Sequence, residues 1–114
     1  MHSPVILYID IDETLIQTCN ARREANPHVV RLVERLHAED AQLYCWSAGG
    51  DAYAREVATE LGIAALFQAF LPKPEVLIDD MPVTDWWMVS LHPDEVDETT
   101  TLDSLKDLLR RGPQ

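Results

Sequence analysis

The 114 residues include only two cysteines, Cys19 and Cys45. That is too few for a disulfide framework. Neither has a neighbouring cysteine for a metal clip, and both are expected as reduced thiols of a cytoplasmic protein. Cys45 lies in an apolar run and reads as a small core residue, with a catalytic thiol as the alternative. No apolar stretch approaches the ~20 residues that cross a bilayer. Met1-His2-Ser3-Pro4 has no basic region ahead of an apolar core, so neither a membrane span nor a signal peptide is expected. The histidines His2, His28, His37 and His92 show no ligand spacing, and His28 and His37 are expected on a helix surface. Basic residues are scarce: nine against 20 acidic ones, for a net charge of −11. Such a surface disfavours nucleic acid, whose binding is mostly phosphate neutralisation by Lys and Arg, and anionic membrane likewise. Internal repeats, low-complexity tracts and linkers are absent. The length fits a single domain, 1–114, able to bury roughly two-thirds of its unfolded surface.

Against this background one run stands out, Val5-Ile6-Leu7-Tyr8-Ile9-Asp10-Ile11-Asp12-Glu13-Thr14-Leu15. Its first five residues are apolar on both faces, the pattern of a buried strand. Open α/β sheets bind ligands outside the carboxyl ends of their strands, where Asp10 and Asp12 arrive. Two carboxylates this close repel, so the pair asks for a cation, a shared proton or an acid/base role. Taken alone, the pair reads equally as a polar turn. Glu13 is expected to face solvent. Arg22-Arg23 reads either as two solvated loop charges or as a local positive lip that attracts an anionic substrate.

Strands and helices alternate along the rest of the chain. Strand one is expected over about 5–10, followed by a turn and short excursion to Asn26. Pro27 suits the first position of a helix capped by Asn26. Val29, Leu32, Val33 and Leu36 fall at helical spacing, which predicts a helix over 27–39. Strand two is expected over about 41–46. A second helix opens at Gly50 or Asp51, carries Ala54, Val57, Ala58 and Leu61 inward, and stops at Gly62. Short strands are predicted within 64–70, at 75–79 and at 86–90, and an acidic loop over 93–99. A last helix runs from Thr101 with Leu102, Leu105, Leu108 and Leu109 inward, ended by Gly112-Pro113. Of Trp86 and Trp87, adjacent on a strand, one is expected in the core; Trp46 suits the core or the rim of a pocket. The pattern implies a mainly parallel sheet flanked by helices, with right-handed crossovers.

Further polar residues end or follow apolar runs. Ser47 follows Leu43-Tyr44-Cys45-Trp46 and precedes Gly49-Gly50, Lys73 sits between Pro72 and Pro74, and Asp79-Asp80 follows Val76-Leu77-Ile78. In this order the chain resembles the haloacid dehalogenase (HAD) superfamily over about residues 5 to 90. Asp10-x-Asp12-x-Thr14 looks like its first motif, Ser47 the second, Lys73 the third and Asp79-Asp80 the fourth. Asp10 to Leu15 is most similar to the first motif of capless phosphatases such as the carboxy-terminal-domain phosphatases. The resemblance implies a Rossmann-like fold with strand one central. The gaps Leu15–Gln42 and Gly50–Lys73 have no room for the cap domains of larger members, so the site should be open.

The resemblance also implies roles. Asp10 is the nucleophile that forms an aspartyl-phosphate. Asp12 is the general acid and base. Mg²⁺ is held by Asp10, the backbone carbonyl of Asp12 and Asp80, with Asp79 as a ligand or as a neighbour orienting bound water. Thr14 holds the turn or orients Asp12. Ser47 and the amides of Ala48, Gly49 and Gly50 donate to phosphate oxygens. Lys73 offers a point charge to phosphate and nucleophile.

The expected activity is Mg²⁺-dependent hydrolysis of a phosphate monoester, on a phosphorylated small molecule or a phosphoprotein. A response-regulator receiver domain has a similar composition, but its lysine lies near the C-terminal end, whereas Lys73 precedes an acidic pair. A non-catalytic phosphate- or protein-binding module on the same fold is the alternative. Its expected mark, loss of Asp10 or Asp12, is absent. Oligomeric state is not legible at this level.

Overall fold

The computed structural model describes Ser3–Gly112. His2, Pro113 and the first half of Met1-His2-Ser3-Pro4, the stretch read for a signal peptide, lie outside the described residues. The chain runs from β1 (Ile6–Asp10) through a hairpin of β2 (Ile16–Cys19) and β3 (Arg22–Ala25) into α1 (Pro27–Ala38). Then come β4 (Gln42–Ser47), α2 (Asp51–Glu60), β5 (Ala69–Pro72) and α3 (Leu102–Arg111). Three strands form one parallel sheet in the order β1-β4-β5, while β2 and β3 pair antiparallel with each other. In register, Ile9 lies opposite Cys45, which lies opposite Phe70.

The crossovers β1–α1–β4 and β4–α2–β5 step the same way across the sheet, and crossovers of one hand, right-handed by rule, place α1 and α2 on the same face. The burial pattern agrees. Ile9, Leu43 and Cys45 are buried, and they alternate with exposed or half-buried Ile6, Tyr8, Tyr44 and Trp46. On the covered face, Val29, Leu32, Val33 and Leu36 from α1 meet Ala54, Val57 and Ala58 from α2 in one core. Each large aliphatic side chain buried there contributes about 1.5–3 kcal/mol. The other face carries an aromatic cluster, with Tyr8 stacked on Tyr44 at 5.1 Å and edge-on to Trp46 at 4.8 Å. The C-terminal segment is tied to α1: Arg35 donates to the carbonyls of Asp97 and Thr100, and the amide of Leu102 donates to Glu39.

Both helices expected at 27–39 and from Asp51 form, and Gly62 takes the left-handed conformation (φ +75°) just past the second. The last helix forms as well, capped by Thr101 and with Leu102 and Leu105 buried. Several expectations are corrected. β1 is an edge strand of this sheet, not a central one; Ile6 and Tyr8 are 59% and 47% exposed because, among the described residues, no strand flanks their side and no helix covers their face. The excursion after Asp12 is the β2–β3 hairpin. The strand expected within 64–70 forms as β5, shifted to Ala69–Pro72, with a 3₁₀ turn, Ala64–Leu66, ahead of it. No strand forms at 75–79 or at 86–90. Val76-Leu77-Ile78 is exposed, and Trp86 and Trp87 lie outside the core. A 3₁₀ turn, Pro93–Glu95, interrupts the acidic loop. His37 is exposed as expected, but His28 is half-buried against the carbonyl of Pro93. No helix among the described residues is long and apolar enough to cross a membrane.

Candidate active site

The carboxyl ends of the three parallel strands converge on one rim. Asp10 ends β1, Ser47 ends β4 one residue past Trp46, and Lys73 follows Pro72 at the end of β5. The amide of Lys73 donates to the carbonyl of Ser47 at 2.9 Å, continuing the ladder by one residue. This register brings the Lys73 ammonium to 3.2 Å from one oxygen of Asp10, with the two side chains 38% and 29% exposed. The other Asp10 oxygen accepts from the Thr14 hydroxyl at 3.2 Å. The sequence reading aimed Thr14 at the turn or at Asp12; its side chain reaches Asp10. Lys73 also lies 5.9 Å from the Trp46 ring, which places Trp46 on the rim.

The loop bearing Asp12 and Thr14 is wound tightly. The Ile11 carbonyl accepts from the amides of Thr14, Leu15 and Ile16, and Ile11 and Leu15 are fully buried. Glu13 takes a left-handed conformation (φ 57°), a cost for a side chain other than glycine. Its carboxylate accepts from the amide and hydroxyl of Thr18, pinning the loop to the hairpin. Glu13 is thus solvent-facing as expected, with a structural contact. Asn26 is buried, and instead of capping α1 its amide group donates to the Thr14 carbonyl. Asp12 is held from two sides. Tyr53 on the first turn of α2 donates its hydroxyl to Asp12 at 2.7 Å, and Arg23 on β3 lies 3.6 Å from the same oxygen and donates to the Tyr53 hydroxyl. Burial and the Asp12 carboxylate raise the Tyr53 phenol above its ordinary value, so it stays a donor.

Of the Arg22-Arg23 pair, Arg23 is thus the one that reaches the rim. Tyr53 was not singled out from the sequence, although its place two residues after Asp51, at the start of the helix that opens on the rim, was a usable signal. The Ser47 side chain is buried, and its oxygen accepts from the Gly49 amide at 3.0 Å. That amide, expected to face phosphate, closes the turn, and the Gly50 amide is taken by the Ser47 carbonyl. Cys45 is fully buried, and burial with the nearby Asp10 charge pushes its thiol up to about 12. It is a protonated core residue, and the catalytic-thiol alternative falls.

Asp79 and Asp80 do not join this group. Asp79 accepts from the Met81 amide within an exposed stretch, and no hydrogen bond or ion pair links either residue to Asp10 or Asp12. Among the described residues no three of His, Cys, Asp and Glu gather as metal ligands. The expected Mg²⁺ donors fit only in part as placed: Asp10 and Asp12 stand on the rim, and the acidic pair stands away from it. Next to the rim, a cleft of about 320 Å³ runs between the hairpin and α2, lined by Arg23, Tyr53, Glu24, Glu56 and Glu60 among others. No cap covers the rim; the hairpin follows Asp12, and α2, a 3₁₀ turn and β5 fill the gap between Ser47 and Lys73. Comparison of the chain with protein-family models, curated proteins and solved structures finds no match.

Proposed function

We propose that this chain is a phosphate monoester hydrolase in which Asp10 receives the phosphoryl group, with Mg²⁺ as the cofactor implied by the resemblance to the HAD superfamily. One observation above all supports the reading. Asp10 lies on an open rim between a cation, Lys73 at 3.2 Å, and a hydroxyl, Thr14 at 3.2 Å, with a second tethered carboxylate two residues on. The placement at the carboxyl ends of parallel strands is where open α/β sheets bind ligands.

The chemistry follows from the residues. Phosphoryl transfer asks the protein for positioning and charge stabilisation. A carboxylate oxygen of Asp10 attacks phosphorus as the ester P–O bond breaks, and the leaving oxygen takes a proton from Asp12. Water then attacks the aspartyl-phosphate, Asp12 takes its proton, and phosphate leaves with Asp10 restored. Lys73 offsets the repulsion between the Asp10 carboxylate and the approaching phosphate. Thr14 fixes the orientation of Asp10, and Tyr53 with Arg23 fixes that of Asp12. The open rim suits a phosphorylated small molecule or a phosphoprotein segment.

The test is a panel of phosphorylated metabolites and phosphopeptides with Mg²⁺, run beside Asp10→Asn. The amide is nearly isosteric and cannot form the acyl phosphate, so turnover should vanish while the circular dichroism spectrum is kept. Wild-type-like turnover in the variant removes Asp10 from the mechanism. Binding of esters with no turnover by the wild-type chain makes a phosphate-binding module the better account.

A further inference from the structure

Two features of the fold lack a counterpart. Among the described residues neither outer edge of the three-stranded sheet, that of β1 or that of β5, has a neighbouring strand, and Ile6, Tyr8, Tyr44 and Trp46 lie exposed or half-buried on the face beside β1. Val76-Leu77-Ile78 has the composition of a core strand, yet Val76 and Ile78 are 80% and 96% exposed. Further along the chain, Met81, Val83, Trp87 and Met88 are exposed as well. An unpaired edge beside an apolar face is a template for strand addition.

The amount of surface agrees. The accessible area is 7945 Å², whereas a folded monomer of 12.9 kDa exposes about 6,300 Å². The excess of about 1,600 Å² exceeds the ~800 Å² that one partner buries in a standard protein interface. The radius of gyration is 14.4 Å, above the ~13 Å of a compact domain of this length.

The chain's own segment is poorly placed to fill its own edge. Pro72 ends β5 at the rim, and four residue steps to Val76 span at most about 14 Å. The free edge of β1 lies three strand spacings from β5, also about 14 Å. The segment would have to be drawn straight to arrive even antiparallel, and parallel addition needs a crossover of a dozen residues or more. The following residues are held elsewhere: Trp86 donates its ring N–H to the Met81 carbonyl, and Trp87 donates its own to the Leu109 carbonyl at the end of α3.

We propose that a second copy of this chain covers the open sheet face, its Val76–Ile78 adding as a strand to the free edge of β1. The contact is reciprocal, each copy supplying both the edge and the strand, so one two-fold axis satisfies both and closes the assembly. Parallel addition carries Asp79 and Asp80 to the rim, where Lys73 and Arg23 already pair with Asp10 and Asp12. Antiparallel addition carries them to the Val5 end, beside Glu39, Asp40 and Lys106. Charge therefore does not choose the direction of addition. The interface does not depend on the hydrolase reading, and its test reads mass rather than turnover.

Sedimentation equilibrium of the full chain at ~100 µM should give twice 12.9 kDa, a concentration at which specific interfaces are populated. Ile78→Asp and, separately, Tyr8→Lys should each weaken association tenfold or more. Both positions are exposed within one copy, so each variant should keep the wild-type circular dichroism spectrum. A monomeric wild-type chain overturns the inference, including one whose Val76–Ile78 amides resist hydrogen exchange, because the edge is then filled from within. A dimer indifferent to both substitutions overturns it by placing the interface elsewhere, and so does open-ended assembly.

Discussion

Replacing Lys73 by Met separates a catalytic ion pair from a structural one. The thioether keeps most of the aliphatic stem and removes the charge 3.2 Å from Asp10. At that distance and an effective dielectric of about 20, the gross Coulomb attraction is about 5 kcal/mol. Both side chains are about a third exposed, so desolvation, rotamer entropy and salt leave a net contribution to folding of about 1 kcal/mol or less. A loss of that size lowers the melting temperature by about 5 °C or less in a domain of this length. The transition state is a different case, because phosphate brings further negative charge against Asp10 and a fixed cation offsets it there. Removing one preorganised group of this kind costs about 10²–10³ in turnover. The assay is steady-state hydrolysis of an aryl phosphate with saturating Mg²⁺, beside thermal melts of both proteins. Turnover should fall by about 10²–10³ with a melt within about 5 °C of wild type. Wild-type turnover in Lys73→Met would make Lys73 an ordinary surface lysine and refute the argument. A loss of several kcal/mol of stability would show that the pair holds the fold instead.

Three other substitutions probe separate links. A β-carbon at position 49 would stand 2.9 Å from Cδ2 of Tyr53, so Gly49→Ala should displace the ring that holds Asp12 and lower kcat roughly tenfold or more, with a fold unchanged by circular dichroism. Leu43 is fully buried in the central strand, and Leu43→Ala should cost about 2–5 kcal/mol in urea unfolding. The Cys45 thiol ionises at 9.0 when unfolded and at about 12 in the fold, so between those values the native state binds the extra proton. Stability should therefore be full below pH 9 and decline as pH rises toward 12, by up to about 1.4 kcal/mol per unit. Cys45→Ala should remove that part of the alkaline slope, and an unchanged slope assigns it to other groups.

Local chemistry made most of the helices legible. Val29, Leu32, Val33 and Leu36 repeat at helical spacing beside Asn26-Pro27, and α1 forms there. The rim was legible for a similar reason: Asp10, Ser47 and Lys73 each end or follow an apolar run, and parallel strands carry their ends to one side. What the sequence could not convey was contact between distant segments. Nothing in the spacing links Tyr53 to Asp12 or Asn26 to the Thr14 carbonyl, since these bonds depend on how α2 and the hairpin pack.

Val76-Leu77-Ile78 shows the limit most sharply. Its composition is that of a buried strand, yet a strand is a relation between two edges rather than a property of three residues. Isolated apolar, β-branched residues gain nothing from an extended conformation until a ladder and a covering face are supplied. β5 ends four residues earlier, and the unpaired outer edge of β1 lies at the limit of the chain's reach. Composition and connectivity thus conflict within one copy, and the conflict leaves both the segment and β1 exposed. The same reasoning governs the acidic pair. Asp79 and Asp80 follow an apolar run as Asp10 does, so the sequence treats the two runs alike. Only β1 has a neighbour to fix where its terminal carboxylate stands, which is why Asp10 has defined partners and the acidic pair does not.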